Sequence, residues 1–245
     1  MKTLLLNLPL RPESPLIQFP IGLAFIASAI KRAGLDLDIL NIDGLRLSEP
    51  EVETFLRRHA YDVICLGTMV TGYSKVKAIT KLIRQVQPKA TIVVGNTVAT
   101  SIPGILLTRT ETDIAVMGEG DETIVDLLGA LANGRPWDEV PGICYLDGQR
   151  LVTTPARPAI KDISSIPMID YSLWEMEIYL ANSPRWVHEP CPIPRHECGA
   201  CRSTPPGAAW GIAPSAITTS RERPTGIAPI RSFSTRSPGC RPTTA

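Results

Sequence analysis

The stretch that decides the fold is DVICLGTMVTGYSKVKAITKLIRQV, residues 62–86. Asp62–Val70 begins as an apolar run without polar alternation, which is typical of a strand covered on both faces of a sheet. Gly67 interrupts this run. Ser74–Val86 then places apolar residues at positions 76, 79, 82, 83 and 86, which is the spacing of one face of a helix. The stretch therefore predicts a strand, a loop that turns on glycine, and an amphipathic helix.

The same alternation of apolar runs and helical patterns extends over residues 1–132. Further strands are predicted at Thr3–Leu8, Leu35–Asp43, Ala90–Gly95 and Asp113–Met117, and further helices at Pro20–Ala33, Glu51–His59 and Glu122–Leu131. Strands that are separated by helices pair in parallel through right-handed crossovers. We therefore expect an open, doubly wound α/β domain with a five-stranded parallel sheet, Rossmann-like in plan and flavodoxin-like in size.

The character of the sequence changes after this domain. Gly142–Leu151 reads as a β-hairpin that turns at Asp147 and Gly148, and prolines then punctuate an extended segment. From residue 191 to the last residue the sequence contains no Leu, Val, Lys, Asp, Asn, Gln, Met or Tyr, so it cannot bury enough apolar surface to fold. We predict a domain over residues 1–133, a hairpin and linker over 134–185, and a disordered tail over 186–245.

Charge and hydropathy exclude several classes of protein. The net charge of the 245-residue chain is +1, without blocks of like charge, so we predict no nucleic-acid partner. Its apolar runs are too short to span a bilayer and the first residues lack a secretory signal pattern, which predicts a cytoplasmic protein without a membrane span. Cys65 and Cys144 are most simply small core residues of a reduced protein.

A ligand of such a sheet is expected at the carboxyl ends of the strands. The loops there are predicted at Asn7–Phe19, Asp43–Ser48, Gly67–Ser74, Gly95–Ser101 and Gly118–Asp121. Four strands end on a glycine, which allows close approach of the backbone to a ligand. The alternative is that turns from strand to helix use glycine for conformational reasons alone.

These loops also exclude familiar nucleotide sites. The first strand is not followed by Gly-x-Gly-x-x-Gly, and the chain has no Gly-x-x-x-x-Gly-Lys-Ser/Thr, so dinucleotide and phosphate-cradling loops are not predicted. The residues after the first strand are Asn7, Leu8 and Pro9. They offer neither the acidic residues of a phosphoacceptor domain nor the hydroxyl-rich loop of a flavodoxin.

Several short motifs, in this order and spacing, resemble the cobalamin-binding domain that precedes the radical S-adenosylmethionine core in a large enzyme superfamily. They are PIGLA at residues 20–24, VVG at 93–95, MGEGDET at 117–123, GICY at 142–145 and ISSIP at 163–167. The resemblance covers about residues 1–180. It implies a corrin lying on the carboxyl ends of the strands, with its nucleotide tail beside the sheet.

The resemblance implies a set of cofactor-binding residues and no catalytic residue. They are Gly67, Thr68, Thr71, Ser74, Gly95, Asn96, Gly118, Glu119 and Gly120. Asn96 departs from the superfamily, which often has a second glycine there. Glu119 has an alternative interpretation, because an acid at a helix N-terminus is stabilised whatever the ligand. The Asp-x-His-x-x-Gly loop that provides histidine to cobalt in other cobalamin proteins is missing, so no metal ligand is predicted.

The tail raises a separate question. The superfamily has Cys-x-x-x-Cys-x-x-Cys at the next position, whereas this chain has Cys191, Cys198 and Cys201 at a different spacing. A zinc site would draw on these cysteines with His188 and His196. A shifted reading frame instead permits cysteines at the codons of Ala209, Ala213 and Ala216, which restores the spacing. The expectation is therefore an out-of-frame tail, with a genuine disordered tail as the alternative.

The resemblance implies cobalamin binding as the N-terminal domain of a radical S-adenosylmethionine enzyme, methyltransferase-like in its chemistry. A [4Fe–4S] cluster and S-adenosylmethionine would belong only to the intact parent protein, so this chain alone is expected to be inactive. Two alternatives stay open. One is a stand-alone cobalamin carrier or interaction module, and the other is a flavodoxin-like domain that binds another cofactor. The sequence does not predict a substrate.

Overall fold

A computed structural model describes residues 1–162 and 166–182. The predictions for the tail, including the zinc site and the shifted frame, lie outside these residues. No helix in the described part of the chain is long and apolar enough to cross a membrane.

The described residues build one mixed sheet of seven strands in the order β2-β1-β3-β4-β5-β6-β7. Its strands are β1 Thr3–Asn7, β2 Leu37–Asn41, β3 Val63–Gly67, β4 Thr91–Gly95, β5 Ile114–Val116, β6 Ile143–Asp147 and β7 Arg150–Thr153. The first five strands are parallel, and their order 2-1-3-4-5 is that of flavodoxin-like sheets. The predicted doubly wound α/β fold is confirmed.

The helices cover both faces of this sheet. They are α1 Ile21–Arg32, α2 Ile42–Leu45, α3 Glu49–Arg58, α4 Tyr73–Val86, α5 Asn96–Ser101, α6 Pro103–Arg109, α7 Gly120–Ala132 and α8 Met176–Asn182. Strand β1 shows why both faces need cover. Leu5 belongs to the core beneath α1 and α7, whereas Leu4 and Leu6 belong to the core on the opposite face. Cys65 and Cys144 are buried core residues, as predicted.

Two predicted boundaries were wrong near the carboxyl ends of strands. The strand predicted over Leu35–Asp43 ends at Asn41, because the Asn41 side chain accepts a hydrogen bond from the backbone of Gly44 and begins the short helix α2. The loop predicted over Gly95–Ser101 forms helix α5, and α6 follows it. Pro103 begins α6 at a position where proline costs no hydrogen bond.

The predicted hairpin is present, but it is part of the sheet. Strand β6 pairs antiparallel with β5, and β7 pairs with β6, so the hairpin extends the five parallel strands by two. Ile143 and Cys144 are fully buried, which explains why the hairpin packs on the domain rather than standing apart. The turn contains Gly148 at a φ of 61°.

The chain after the hairpin crosses the face of the sheet that carries α1 and α7. Arg157 bonds to α7, the backbone of Asp170 donates to Ser28 of α1, and helix α8 then packs at the β2 edge. There the Tyr179 hydroxyl donates to Asn41. The ring of Phe19 packs against three aromatic residues of this returning segment, namely Tyr171, Trp174 and Tyr179.

Candidate functional site

A cavity of about 270 Å³ lies at the carboxyl ends of the parallel strands, between the sheet and helices α1 and α7. We call it the strand-end cavity. Its sheet side is formed by Leu5, Cys65, Leu66, Gly67, Val93, Gly95, Asn96 and Val116, and its helical side by Gly22, Leu23, Ile26, Gly118, Glu119, Gly120, Asp121 and Ile124. The walls are mostly apolar, which is typical of a site for a small molecule or for part of a larger one.

Glycines create much of this space. A methyl group added to Gly22 or Gly118 would meet no described atom within 4 Å, and one added to Gly95 would meet only Val116, at 4.0 Å. Gly95 follows two positions after Val93, so a side chain there would point to the same face of the sheet. These backbone positions are therefore open to close contact with a ligand.

Six of the nine predicted cofactor-binding residues line the strand-end cavity. They are Gly67, Gly95, Asn96, Gly118, Glu119 and Gly120. Thr68, Thr71 and Ser74 do not line it, because the chain turns after Gly67 into a 3₁₀ turn and α4. Thr68 is buried beside Gly72, whereas Thr71 and Ser74 are exposed on the same loop and helix start. The assignment of all nine to a cofactor stays a prediction.

Asn96 occupies a left-handed backbone conformation, with a φ of 69°. Glycine adopts this conformation without strain, and asparagine tolerates it better than most residues. The Asn96 side chain accepts a hydrogen bond from the backbone of Thr97, at 2.6 Å. Asn96 thus keeps the backbone conformation that a glycine would adopt at this position.

Substitution of Asn96 tests whether its left-handed backbone conformation lowers the stability of the domain. We expect Asn96→Gly to keep or raise the free energy of unfolding, and Asn96→Ala to lower it by about 1 kcal/mol, because alanine is disfavoured at positive φ. Urea denaturation of both variants measures the difference. Equal stability of the two variants would show that the left-handed conformation is not maintained.

The helical wall of the cavity was predicted only in part. Gly22, Leu23 and Ile26 of α1 and Ile124 of α7 also line it and were not among the predicted cofactor-binding residues, and Asp121 was expected only as the end of a strand-end loop. A signal was present at Gly22, since a glycine in the first turn of a helix weakens that helix unless space or contact requires it. The sequence alone does not say which side of each helix faces the strand ends.

The two helices that form this wall begin with different charges. The first turn of α1 contains no acidic residue within the described chain, and no side chain caps it. The N-terminus of α7 carries Glu119, Asp121 and Glu122. Carboxylates there are stabilised by the helix dipole. The α7 side of the cavity is therefore the acidic side.

The three carboxylates have different partners. Glu119 accepts a hydrogen bond of 2.8 Å from the backbone of Ile160, which supports the structural interpretation of this residue. Glu122 pairs with Arg157 at 3.2 Å. Asp121 Oδ1 is buried without a hydrogen-bond partner among the described residues. Burial raises the pKa of Asp121, its own backbone N–H opposes this, and Glu119 and Glu122 add to the increase.

Cys65 and His59 are side chains of types that can bind a metal ion, so their positions relative to the cavity matter. Burial raises the pKa of Cys65 to about 12, so its thiol stays protonated on the cavity floor. His59 ends α3, before the start of β3, and therefore lies at the opposite end of the sheet from the cavity. Among the described residues, no group of His, Cys, Asp and Glu could hold a metal ion.

Exposed apolar side chains lie on the segments that follow the carboxyl ends of the strands. Ile21 at the start of α1, Leu45 after β2, and Met69 and Val70 after β3 are each at least 40% exposed. All four follow the carboxyl ends of strands. An apolar rim of this kind favours contact with a flat, largely apolar ligand.

Comparison with known proteins identifies the family of the segment that contains the cavity. Residues 10–128 match the model of the B12 binding domain. This segment is a B12-binding domain. Fifteen of the sixteen residues that line the strand-end cavity fall within the matched segment, Leu5 being the exception.

Curated relatives place the B12-binding domain among longer proteins. The chain is 25% identical over 166 residues to an uncharacterized methyltransferase of Pyrococcus horikoshii, covering 66% of this chain and 36% of that protein. It is 29% identical over 170 residues to the anaerobic magnesium-protoporphyrin IX monomethyl ester cyclase of Cereibacter sphaeroides, covering 65% and 27%. The chain thus spans about a third or less of these relatives. The domain is homologous to the N-terminal region of cobalamin-dependent radical S-adenosylmethionine enzymes.

Solved structures share the fold of the B12-binding domain. The radical S-adenosylmethionine methyltransferase TsrM from Kitasatospora setae, with cobalamin and a [4Fe-4S] cluster bound, superimposes with a TM-score of 0.55 at 20% identity, over 64% of this chain and 32% of that one. The cobalamin-dependent S-adenosylmethionine radical enzyme OxsB, with aqua-cobalamin and S-adenosylmethionine bound, gives 0.58 at 19% identity, over 64% and 22%.

Proposed function

We propose that this chain binds cobalamin, with the nucleotide tail in the strand-end cavity and the corrin ring over its apolar rim. The observation that carries the proposal is the position of the cavity. It lies at the carboxyl ends of the strands, inside the segment that matches the B12 binding domain. Ligands of open α/β sheets bind in this place.

The residues of the cavity suit such a ligand. The volume of about 270 Å³ can hold a nucleotide tail but not a whole corrinoid, which matches a ligand that lies partly outside. Gly95 and Gly118 leave the backbone open to close approach by the tail. Outside the cavity, exposed Thr71 and Ser74 can reach the amide side chains of a corrin.

In this arrangement cobalt receives no histidine from the B12-binding domain. His59 lies at the amino-terminal edge of the sheet, away from the cavity, so its imidazole cannot reach a corrin at the carboxyl edge. Bound cobalamin would supply methyl transfer or assist radical chemistry. The residues of this chain bind and orient it.

We also propose that the domain works beside a radical S-adenosylmethionine core. This proposal is supported by the identity to curated methyltransferases and cyclases and by the shared fold with TsrM and OxsB. The [4Fe–4S] cluster and S-adenosylmethionine would be held by that core. The chain spans only 36% and 27% of these two relatives, so their reactions are not transferred to it.

Gel filtration tests the binding directly. We expect the full chain, mixed with hydroxocobalamin at micromolar concentration, to elute with the absorbance of one corrinoid per chain. Flavin mononucleotide is the control, because a flavodoxin-like fold could hold it in the same place. Elution with the flavin, or without the corrinoid, would contradict the proposed function.

A further inference from the structure

We propose that Arg46 and Asn182 form a conformational clamp that makes the order of the loop after β1 depend on the docking of helix α8. We call this pair of side chains the loop clamp. The clamped segment is 14–17, which no helix or strand of the described chain includes. The loop clamp is formed by the chain alone and is independent of the proposed function.

The loop clamp bonds to four consecutive backbone groups of segment 14–17. They are the carbonyl oxygens of Ser14, Pro15 and Leu16 and the N–H of Ile17. Arg46 donates to the first and third groups, at 2.8 and 3.1 Å. Asn182 donates to the second at 3.0 Å and accepts from the fourth at 2.9 Å. Extended backbone presents alternate residues to opposite sides, so the two side chains bond to the two sides as neighbouring strands would.

The backbone of Arg46 supports this role. Its φ of 53° is a left-handed conformation that is disfavoured for an arginine. A conformation of this kind persists where surrounding contacts hold it, and the bonds to the loop are such contacts. The guanidinium also pairs with Asp43 of α2 at 3.1 Å, so it joins the loop after β1 to the helix after β2.

Asn182 makes the loop clamp conditional, because it lies at the end of α8. This helix has seven residues, and a helix so short is not stable in water without packing. Its packing at the β2 edge includes the Tyr179 hydroxyl, which donates to Asn41, and the contact of the Tyr179 ring with Phe19. Asn182 itself is only 7% exposed, so its bonds to the loop require that α8 is docked. Undocking of α8 therefore removes one side of the loop clamp.

The loop clamp reaches the strand-end cavity through helix α1. The loop leads directly into this helix, whose start has no side-chain cap. Gly22, Leu23 and Ile26 of the helix line the cavity. The docking of α8 is thereby coupled to the helical wall of the cavity, and because such a coupling is reciprocal, the loop also stabilises α8.

Hydrogen exchange tests this coupling in the full chain. Mass spectrometry follows two peptides, one covering residues 11–19 and the other residues 176–182. Arg46→Gly removes one side of the loop clamp, and glycine adopts the left-handed conformation without strain. We expect exchange in the loop peptide to become about tenfold faster, since two hydrogen bonds are lost. The α8 peptide should exchange about threefold faster, although Arg46 has no hydrogen bond to α8 in the described chain.

Two further variants accompany this one. Asn182→Ala removes the other side of the loop clamp and should accelerate exchange in the loop peptide by a similar factor. The matched control is Asn133→Ala, which removes an asparagine that donates to the backbone of Gly129 at the end of α7. It should leave both peptides within about twofold of the wild type. Arg46→Asn, which tolerates the same backbone conformation, replaces the glycine variant if that variant does not fold.

Faster exchange in the loop peptide of Arg46→Gly without any change in the α8 peptide would overturn the coupling. A wild-type loop that exchanges at the rate of an unfolded chain would overturn the loop clamp itself, and so would equal acceleration in the Asn133→Ala control. No ligand enters these measurements, so failure of the loop clamp leaves the proposed function untouched.

Discussion

Replacing Gly95 with leucine is expected to weaken corrinoid binding at least about 100-fold, a loss of about 2.7 kcal/mol. The backbone of Gly95 is extended, with φ −121° and ψ −167°, so any residue can adopt it. The nearest described atoms to an added methyl group lie 4.0 Å away, on Val116. The leucine side chain therefore enters the cavity without disturbing the fold and occupies the space of the ligand.

A graded pair of variants separates filling of the cavity from damage to the fold. Gly95→Ala adds one methyl group and should have a much smaller effect than the leucine. Gly129→Leu makes the same replacement in α7, outside the cavity, and should bind hydroxocobalamin as the wild type does. Calorimetric titration gives the affinities, and thermal unfolding reports on the fold. Unchanged binding by Gly95→Leu would place the ligand elsewhere.

The second large effect is expected on stability, at Asn41. This residue is fully buried, and its side-chain oxygen accepts hydrogen bonds from three donors. They are the Asn7 amide, the Gly44 backbone and the Tyr179 hydroxyl, at 2.9, 3.0 and 2.9 Å. Asn41→Leu keeps the size but leaves these donors buried and unpaired. We expect a loss of about 3–5 kcal/mol in the free energy of unfolding.

Urea denaturation of the full chain measures this loss, with Glu175→Gln as the matched control. Glu175 accepts from the amide group of Asn41 at 2.7 Å but is exposed, and glutamine keeps an acceptor oxygen. We expect the control to cost less than about 1 kcal/mol. A similar small cost for Asn41→Leu would mean that water, rather than Asn41, satisfies the three donors.

The parallel strands could be predicted because their buried residues form continuous apolar runs in the sequence. Val63–Gly67 and Thr91–Gly95 are buried along most of their length, and such runs need no partner to be recognised. The pairing of β6 with β5 could not be predicted in the same way. It depends on the burial of Ile143 and Cys144 against residues that are distant in sequence, and a local pattern does not contain this information.

The sheet side of the cavity was predictable, whereas its helical side was predictable only at the start of α7. Parallel strands bring their carboxyl ends to one edge, so Gly67 and Gly95 were expected to lie side by side, and they are paired in the sheet. Which residues of α1 and α7 face the cavity depends on the orientation of each helix about its own axis. Tertiary packing sets this orientation. The burial of Asp121 Oδ1 depends on still finer detail of this packing.

The segment that follows the hairpin links the two edges of the sheet. It leaves β7 at one edge and packs beside β2 at the other, six strand spacings or roughly 29 Å away. At the end of the described chain, the Asn182 side chain accepts a hydrogen bond from the backbone of Ile17, 165 positions earlier. Because this segment joins residues that are far apart in the chain, we expect it to dock only after the strands have paired. Folding of the domain is thus expected to end with the packing of Phe19 against its three aromatic partners.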